Sequence, residues 1–228
     1  RGQRVHLLGA ADPRHHVHRD GGDVLRLQLL EELSPRVLSV GAVPEKEKFG
    51  AAGITLERGA IVVDDHGRTS APQVWAVGDA VLSTCAVTGI RRPFALAGPA
   101  NRAGRLIADD IFTPEIARPM PRPLGTAIVR IGELTAASTG VNKATLQAAG
   151  IAHHTLHLHP NQHAGYFPGA AQMHLIVHFR EGDGALLGAQ AVGPDGVDKR
   201  IDVLATELRA GMAIDDLIDL DLAYSPPY

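Results

Sequence analysis

The chain has 228 residues, enough for one large or two small domains with a buried core, and this length excludes a peptide or a disulfide-stapled miniature. Apolar residues make up 45% and charged residues 21%, the formal charge is -3 and the mean hydropathy is +0.01, the profile of an ordinary soluble globular protein without the basic excess that nucleic acid calls for. No apolar run approaches the roughly 18 residues of a membrane span, Arg1 opens the chain without a Met or a signal-peptide pattern, and the single cysteine, Cys85, has no internal partner, so the chain reads as cytoplasmic.

Residues 1–44 carry little periodicity. Val24 to Leu29 alternates as a short strand, Arg14, His15, His16, His18 and Arg19 sit in a polar loop, and Val37 to Val40 reads as a buried strand running into a turn at Gly41 and Pro44. Ile61 to Val63 predicts a strand, Asp64 to Gly67 a turn, and Val74 to Val77 a second strand that stops at Gly78-Asp79. Strand, turn, strand and glycine in that order indicate α/β architecture. Gly98-Pro99 opens a helix with Pro at its first helical position and small or apolar residues at Ala100, Ala103, Gly104, Ile107, Ala108 and Ile111. The four prolines between Thr113 and Pro123 mark a linker between domains.

Beyond the linker, strands are expected over Thr126 to Ile131, Thr135 to Thr139 and Thr155 to His159, with a short helix capped by Asn142 and closed by Gly150. Met173, Leu175, Val177 and Phe179 share one face of a further strand, and Ala185 to Val192 forms another. A helix follows with Ile201, Leu204, Ala205 and Leu208 on one side and Gly211 at its end. This half reads as an α+β domain built on an antiparallel sheet.

Asp79 either closes a strand in a turn or stands in the crevice where open α/β sheets bind ligands, where it can accept hydrogen bonds from a polyol. The helix at Pro99 favours the second, because its free N–H groups and partial positive charge suit an anion or an electron-rich ring. Twelve histidines also need an explanation. His153, His157 and His159 fall with Thr155 on one face of a strand, and two histidines at i, i+2 can ligate a metal. With no carboxylate or cysteine at ligand spacing, that face reads as solvated or as an interface, and no metal is assigned. Lys199 and Arg200, at a helix start, read as surface ion-pair residues.

Thr69 to Ala80, Leu96 to Arg105, Leu134 to Gly140, His159 to Ala170, Val197 to Asp202 and Asp221 to Tyr228 together resemble the pyridine nucleotide-disulfide oxidoreductases, and within them the coenzyme A-disulfide reductase group. The resemblance runs from about Ser39 to the end. It implies a flavoenzyme in which NAD(P)H reduces FAD, the flavin reduces an active-site cysteine, and that cysteine reduces coenzyme A disulfide or a related small disulfide. The implied fold is an α/β FAD-domain segment followed by an α+β dimerisation domain with an antiparallel sheet. Residues 1–44 then read as a remnant of the NAD(P)-binding domain, 45–115 as the carboxyl-terminal segment of the FAD-binding domain, and 121–228 as the dimerisation domain. On this pattern Asp79 and Gly78 hold the flavin ribityl chain, and Ala97 and Gly98 bring the helix N-terminus to the flavin ring. Tyr166 and Tyr224 reach across a homodimer into the partner's active site, where a phenol can hydrogen-bond to a thiolate leaving group or protonate it. His163, inside the same motif, buffers or orients that site.

Three departures from the pattern bear on function. No G-x-G-x-x-G follows a strand, so neither pyrophosphate site is present. The redox cysteine is missing, since Cys85 lies beyond Asp79 on the wrong side of the family order and reads as an ordinary small residue. The opening stretch is shortened between Leu29 and Ser39. The chain is therefore expected to be the carboxyl-terminal part of an enzyme and inactive by itself. Two other readings stay open: an NADH oxidase or peroxidase on the same scaffold, which needs no phenol beside a thiolate, and a non-catalytic dimerisation module from Leu124 onward.

Overall fold

A computed structural model describes residues 47–228. The strands expected at Val24–Leu29 and Val37–Val40, the histidine-rich loop and the NAD(P)-domain remnant lie outside the described residues.

The first part is assembled from short pieces. Helix α1 (Glu47–Ala51) leads into a hairpin of β1 (Leu56–Glu57) and β2 (Ala60–Ile61), turned through Arg58 and Gly59, both at positive φ. The strand expected over Ile61–Val63 is thus shorter and begins a residue earlier, with one parallel bridge from Ile61 to Val81. Val74–Val77 is not a strand. It is extended, and among the described residues only a bridge from Trp75 to Arg68 pairs it, so its apolar run has no ladder to join. Gly78–Ala80 forms a 3₁₀ turn, and β3 (Ser83–Thr84) pairs with β4 (Arg91–Arg92).

Helix α2 spans Ala97–Phe112 and starts two residues before Pro99. Pro99 therefore occupies the third helical position, still in the first turn, where a missing N–H forfeits no helical bond. The far end of α2 is pinned by Asp110, which is 3% exposed and accepts from Arg68 Nε at 2.8 Å, Arg68 Nη2 at 2.6 Å and Trp75 Nε1 at 2.8 Å. Hydrogen bonds from Arg68 and then Trp75 hold the Asp110 carboxyl below the usual carboxylate range. Residues 113–123 carry no regular element, in keeping with their prolines.

The second part is a five-stranded antiparallel sheet in the order β5-β6-β9-β8-β7. Its strands are β5 (Ala127–Ile131), β6 (Leu134–Gly140), β7 (His153–Leu158), β8 (His174–Arg180) and β9 (Leu186–Gly193). Helix α3 (Lys143–Ala148) is capped as expected: the Asn142 side chain accepts from the Thr145 N–H at 2.9 Å. Helix α4 (Val197–Ala210) ends at Gly211 with φ +74, a left-handed cap that favours glycine. One face of the sheet meets α4, where Val197, Ile201 and Leu204 close over Ala137, Leu175, Val177, Ala189 and Ala191. A second cluster joins the two parts, with Cys85 and Phe94 packed on Val141, Leu146 and Leu187. The sheet face away from α4 leaves Val129, Ile131 and Leu134 exposed on β5 and β6.

Candidate functional site

Between β7 and β8 the chain leaves the sheet at Pro160 and returns at Met173, whose N–H donates to the Pro160 carbonyl. The loop is closed from within by Gln162. Its Oε1 accepts from the Ala171 N–H at 2.5 Å and its Nε2 donates to the Gly169 carbonyl at 2.9 Å. Arg200 on α4 donates from Nη2 to the Gln162 carbonyl at 2.7 Å and to the Asn161 carbonyl at 3.4 Å. Arg200 thus fastens the loop to α4 and, among the described residues, makes these contacts in place of the expected surface ion pair. The approach is close, since a Cβ on Gly196 would lie 2.9 Å from the Gln162 Cβ. Both residues lie in stretches that carry the family resemblance, but no local pattern gives their role, because their partners are backbone groups.

This loop carries Tyr166, and the carboxyl-terminal segment carries Tyr224. The Ala164 N–H donates to the Pro226 carbonyl at 3.3 Å and so ties the two segments together. The Tyr166 and Tyr224 hydroxyls stand 3.4 Å apart, although 58 residues separate them, and both side chains are largely exposed, at 78% and 70%. The hydrogen bond to Tyr166, with its nearby charge and slight desolvation adding to it, pushes the Tyr224 phenol above its ordinary value. Either hydroxyl can be the donor of this bond, and the O–H of the other is then left free. His163 packs in the same loop with its ring edge-on to Phe167, centroids 5.6 Å apart, and its Nε2 is buried without a partner among the described residues.

The second group of expected site residues lies at the start of α2. Gly78 has φ +75, and a Cβ there would touch the Ala100 Cβ at 3.7 Å, so the Gly78–Ala80 turn rests against the first turns of the helix. Asp79 is exposed and makes no hydrogen bond or ion pair among the described residues. Leu96 at the N-cap supplies no side-chain acceptor, which leaves the N–H groups of Ala97 and Gly98 unbonded there. A Cβ on Gly98 would meet nothing within 4 Å, so the helix end is open. A free carboxylate therefore stands beside a free, partially positive helix end. A cleft of about 1070 Å³ adjoins, lined by Gly98, Pro99 and Arg102 of α2 and by Thr206 and Arg209 of α4; Asp79 is not among its walls.

Cys85 is fully buried in the core that joins the two parts. Burial pushes its thiol up, but hydrogen bonds from Thr88 and Val87 and the charge of Arg92 outweigh this and leave it below its ordinary value. Among the described residues, Asp64, Asp65 and His66 form the one trio with ligand atoms close together. Its donors are already engaged: Asp64 Oδ1 accepts from the N–H groups of His66 and Arg68, and His66 Nδ1 meets Asp65 Oδ1 at 2.9 Å. No helix among the described residues is long and apolar enough to cross a membrane.

Two models of one protein family match this architecture in order. The model for pyridine nucleotide-disulphide oxidoreductases covers residues 11–104, and that for the family's dimerisation domain covers residues 126–228. The chain belongs to the pyridine nucleotide-disulphide oxidoreductases. The expected order, an FAD-domain segment and then an antiparallel dimerisation domain, is the order found in this family. A coenzyme A disulfide reductase of Staphylococcus haemolyticus is 31% identical over 234 residues, a match to 97% of this chain and 52% of the relative. The reduced CoADR-RHD of Bacillus anthracis superposes with a TM-score of 0.80 at 39% identity, over 83% of this chain and 34% of that one. An NAD-dependent persulfide reductase from A. fulgidus gives 0.79 at 39% identity, over 83% and 35%. The chain spans about half the length of the curated relatives it matches.

Proposed function

We propose that the enzyme carrying this chain reduces coenzyme A disulfide with NAD(P)H as a homodimer, and that Tyr166 and Tyr224 serve the sulfur leaving group. The balance is one disulfide, one NAD(P)H and one proton consumed, with two thiols and NAD(P)⁺ formed. The observation that carries this reading is the phenol pair, two exposed hydroxyls 3.4 Å apart on segments fastened to each other and to α4. Cleaving a sulfur–sulfur bond expels a thiolate, which a phenol stabilises by hydrogen bonding and discharges by proton donation. Whichever hydroxyl donates within the pair, the other keeps a proton available to sulfur. Gln162 and Arg200 fix the loop before substrate arrives, so little conformational freedom is lost on binding. An oxidase or peroxidase expels no thiolate from its substrate and has no task for such a pair.

FAD fits the surface at Asp79, and when bound it supplies the two-electron relay between nicotinamide and sulfur. The unpartnered Asp79 carboxylate can accept from ribityl hydroxyls, Gly78 supplies the positive φ of that turn, and Ala97 and Gly98 offer free N–H donors with no side chain in the way. The exposed Val129, Ile131 and Leu134 supply an apolar surface for the homodimer, in keeping with the dimerisation-domain match.

The test is substitution in the intact enzyme. Tyr166→Phe and Tyr224→Phe should each lower turnover by about 10²-fold, the lower end of the range for a positioned proton donor. Flavin content and dimerisation should stay unchanged, and the double variant should lose less than the product of the two. Full turnover in Tyr166→Phe, or loss of flavin in either variant, would remove the catalytic role.

A further inference from the structure

The sheet edge at β7 and β8 holds histidines for which the flavin reading has no use. His157 and His159 alternate along the end of β7 and beyond it, so both point to the same side. Leu158 pairs with Leu175, and the next step of this register sets His174 directly opposite His159. The Nδ1 atoms of His159 and His174 are 2.8 Å apart, with the rings edge-on and their centroids 4.8 Å apart. All three side chains are exposed.

Two nitrogens bound to one zinc ion at about 2.0–2.1 Å stand about 2.9 Å apart at a right angle and about 3.4 Å apart at the tetrahedral angle. The His159–His174 pair is already close to that spacing. At present a single proton lies between the two nitrogens, since one Nδ1–H donates and the other Nδ1 accepts. We propose that His159 and His174, joined by His157, bind one zinc ion at the neck of the loop that carries Tyr166. The ion takes the place of the shared proton, which returns through solvent to the Nε2 of the same ring so that both imidazoles stay neutral, and water completes the coordination. His157 is not gathered with the other two as the side chains stand, and it closes on the ion by rotating about its exposed side-chain bonds. Imidazole donors without carboxylate suit zinc or copper over magnesium or calcium. Bound there, the ion would clamp the two ends of the loop, Pro160 and Met173, across the strand pair. The site requires nothing of the flavin reading.

Calorimetric titration of the full chain with zinc, run in two buffers of different ionisation heat, tests the proposal. The expected result is one ion per chain with the same heat in both buffers, because neutral imidazoles release no net proton on binding. His157→Ala, His159→Ala and His174→Ala should each weaken binding by about tenfold or more, because even outer-shell partners of a metal ligand cost about 10–100-fold. His66→Ala should leave it within about twofold, since Asp64, Asp65 and His66 are engaged with one another. Copper in place of zinc provides a check that needs no variant: its electron paramagnetic resonance should show at least two imidazole nitrogens. Absence of saturable zinc binding, unchanged binding in the His159 and His174 variants, loss in His66→Ala, or an oxygen-only copper spectrum would each overturn the assignment.

Discussion

Glu207 lies on the inward side of α4 with 3% of its surface exposed, and neither carboxylate oxygen has a hydrogen-bond partner among the described residues. Burial raises its carboxyl above the ordinary range. Replacing it by Leu keeps a good helix former of similar size and removes a buried polar group whose lack of partners costs about 1–3 kcal/mol. With about 2 kcal/mol as the middle value and about 2–4 °C per kcal/mol for a domain of this size, Glu207→Leu should raise Tm by about 4–8 °C. The gain depends on pH in a defined direction. Above the unfolded value near 4.5, the unfolded chain has lost a proton that the folded chain still holds, so the parent loses stability as pH rises toward the raised folded value. The advantage of Glu207→Leu should therefore be larger at about pH 8 than at about pH 5. Thermal unfolding followed by circular dichroism at both pH values reads this directly. A variant less stable than the parent, or an advantage that does not grow with pH, would refute the reasoning.

Gly188 sits where a Cβ would collide with the backbone oxygen and nitrogen of Val141, atoms that cannot swing aside. Gly188→Ala should lower the denaturant midpoint by the equivalent of about 3 kcal/mol or more, with the m-value unchanged. Asp110→Asn should destabilise the chain by weakening the grip on Arg68 and Trp75. Because the folded Asp110 carboxyl is held low, the deficit should be full above the unfolded value of 3.8 and fade as pH falls through the folded value, which chemical denaturation across that range would show. If the proposed homodimer forms through the exposed sheet face, Ile131→Glu should shift it toward monomer in sedimentation at about tens of micromolar, where an obligate interface remains closed.

The sheet of the second part was legible because its signals are local. Alternation marks β8, runs of apolar and small residues mark β6 and β9, Asn142 caps α3, and Gly150 and Gly211 end their helices at positive φ. Val74–Val77 has the pattern of a strand but does not form one, because an apolar run becomes a strand only when neighbours supply a ladder, and the described residues offer a single bridge. Helix α2 starts early because Pro99 is tolerated anywhere in a first turn, so proline marks the turn and not the boundary. Tyr166 and Tyr224 could be paired beforehand only through family resemblance, since no local spacing links residues so far apart. What Arg200 bonds and the meeting of His159 with His174 are not legible for a different reason: one side chain acts on carbonyl groups, and the other contact depends on the register between two strands.

The most direct measurement of the central claim is consumption of NAD(P)H by the intact flavoenzyme under anaerobic conditions with coenzyme A disulfide as the sole oxidant. One NAD(P)H should be oxidised and two thiols released per disulfide, with the rate falling about 10²-fold in Tyr166→Phe. NAD(P)H consumption that begins only when dioxygen or peroxide is admitted, or an anaerobic rate that Tyr166→Phe leaves intact, would contradict it.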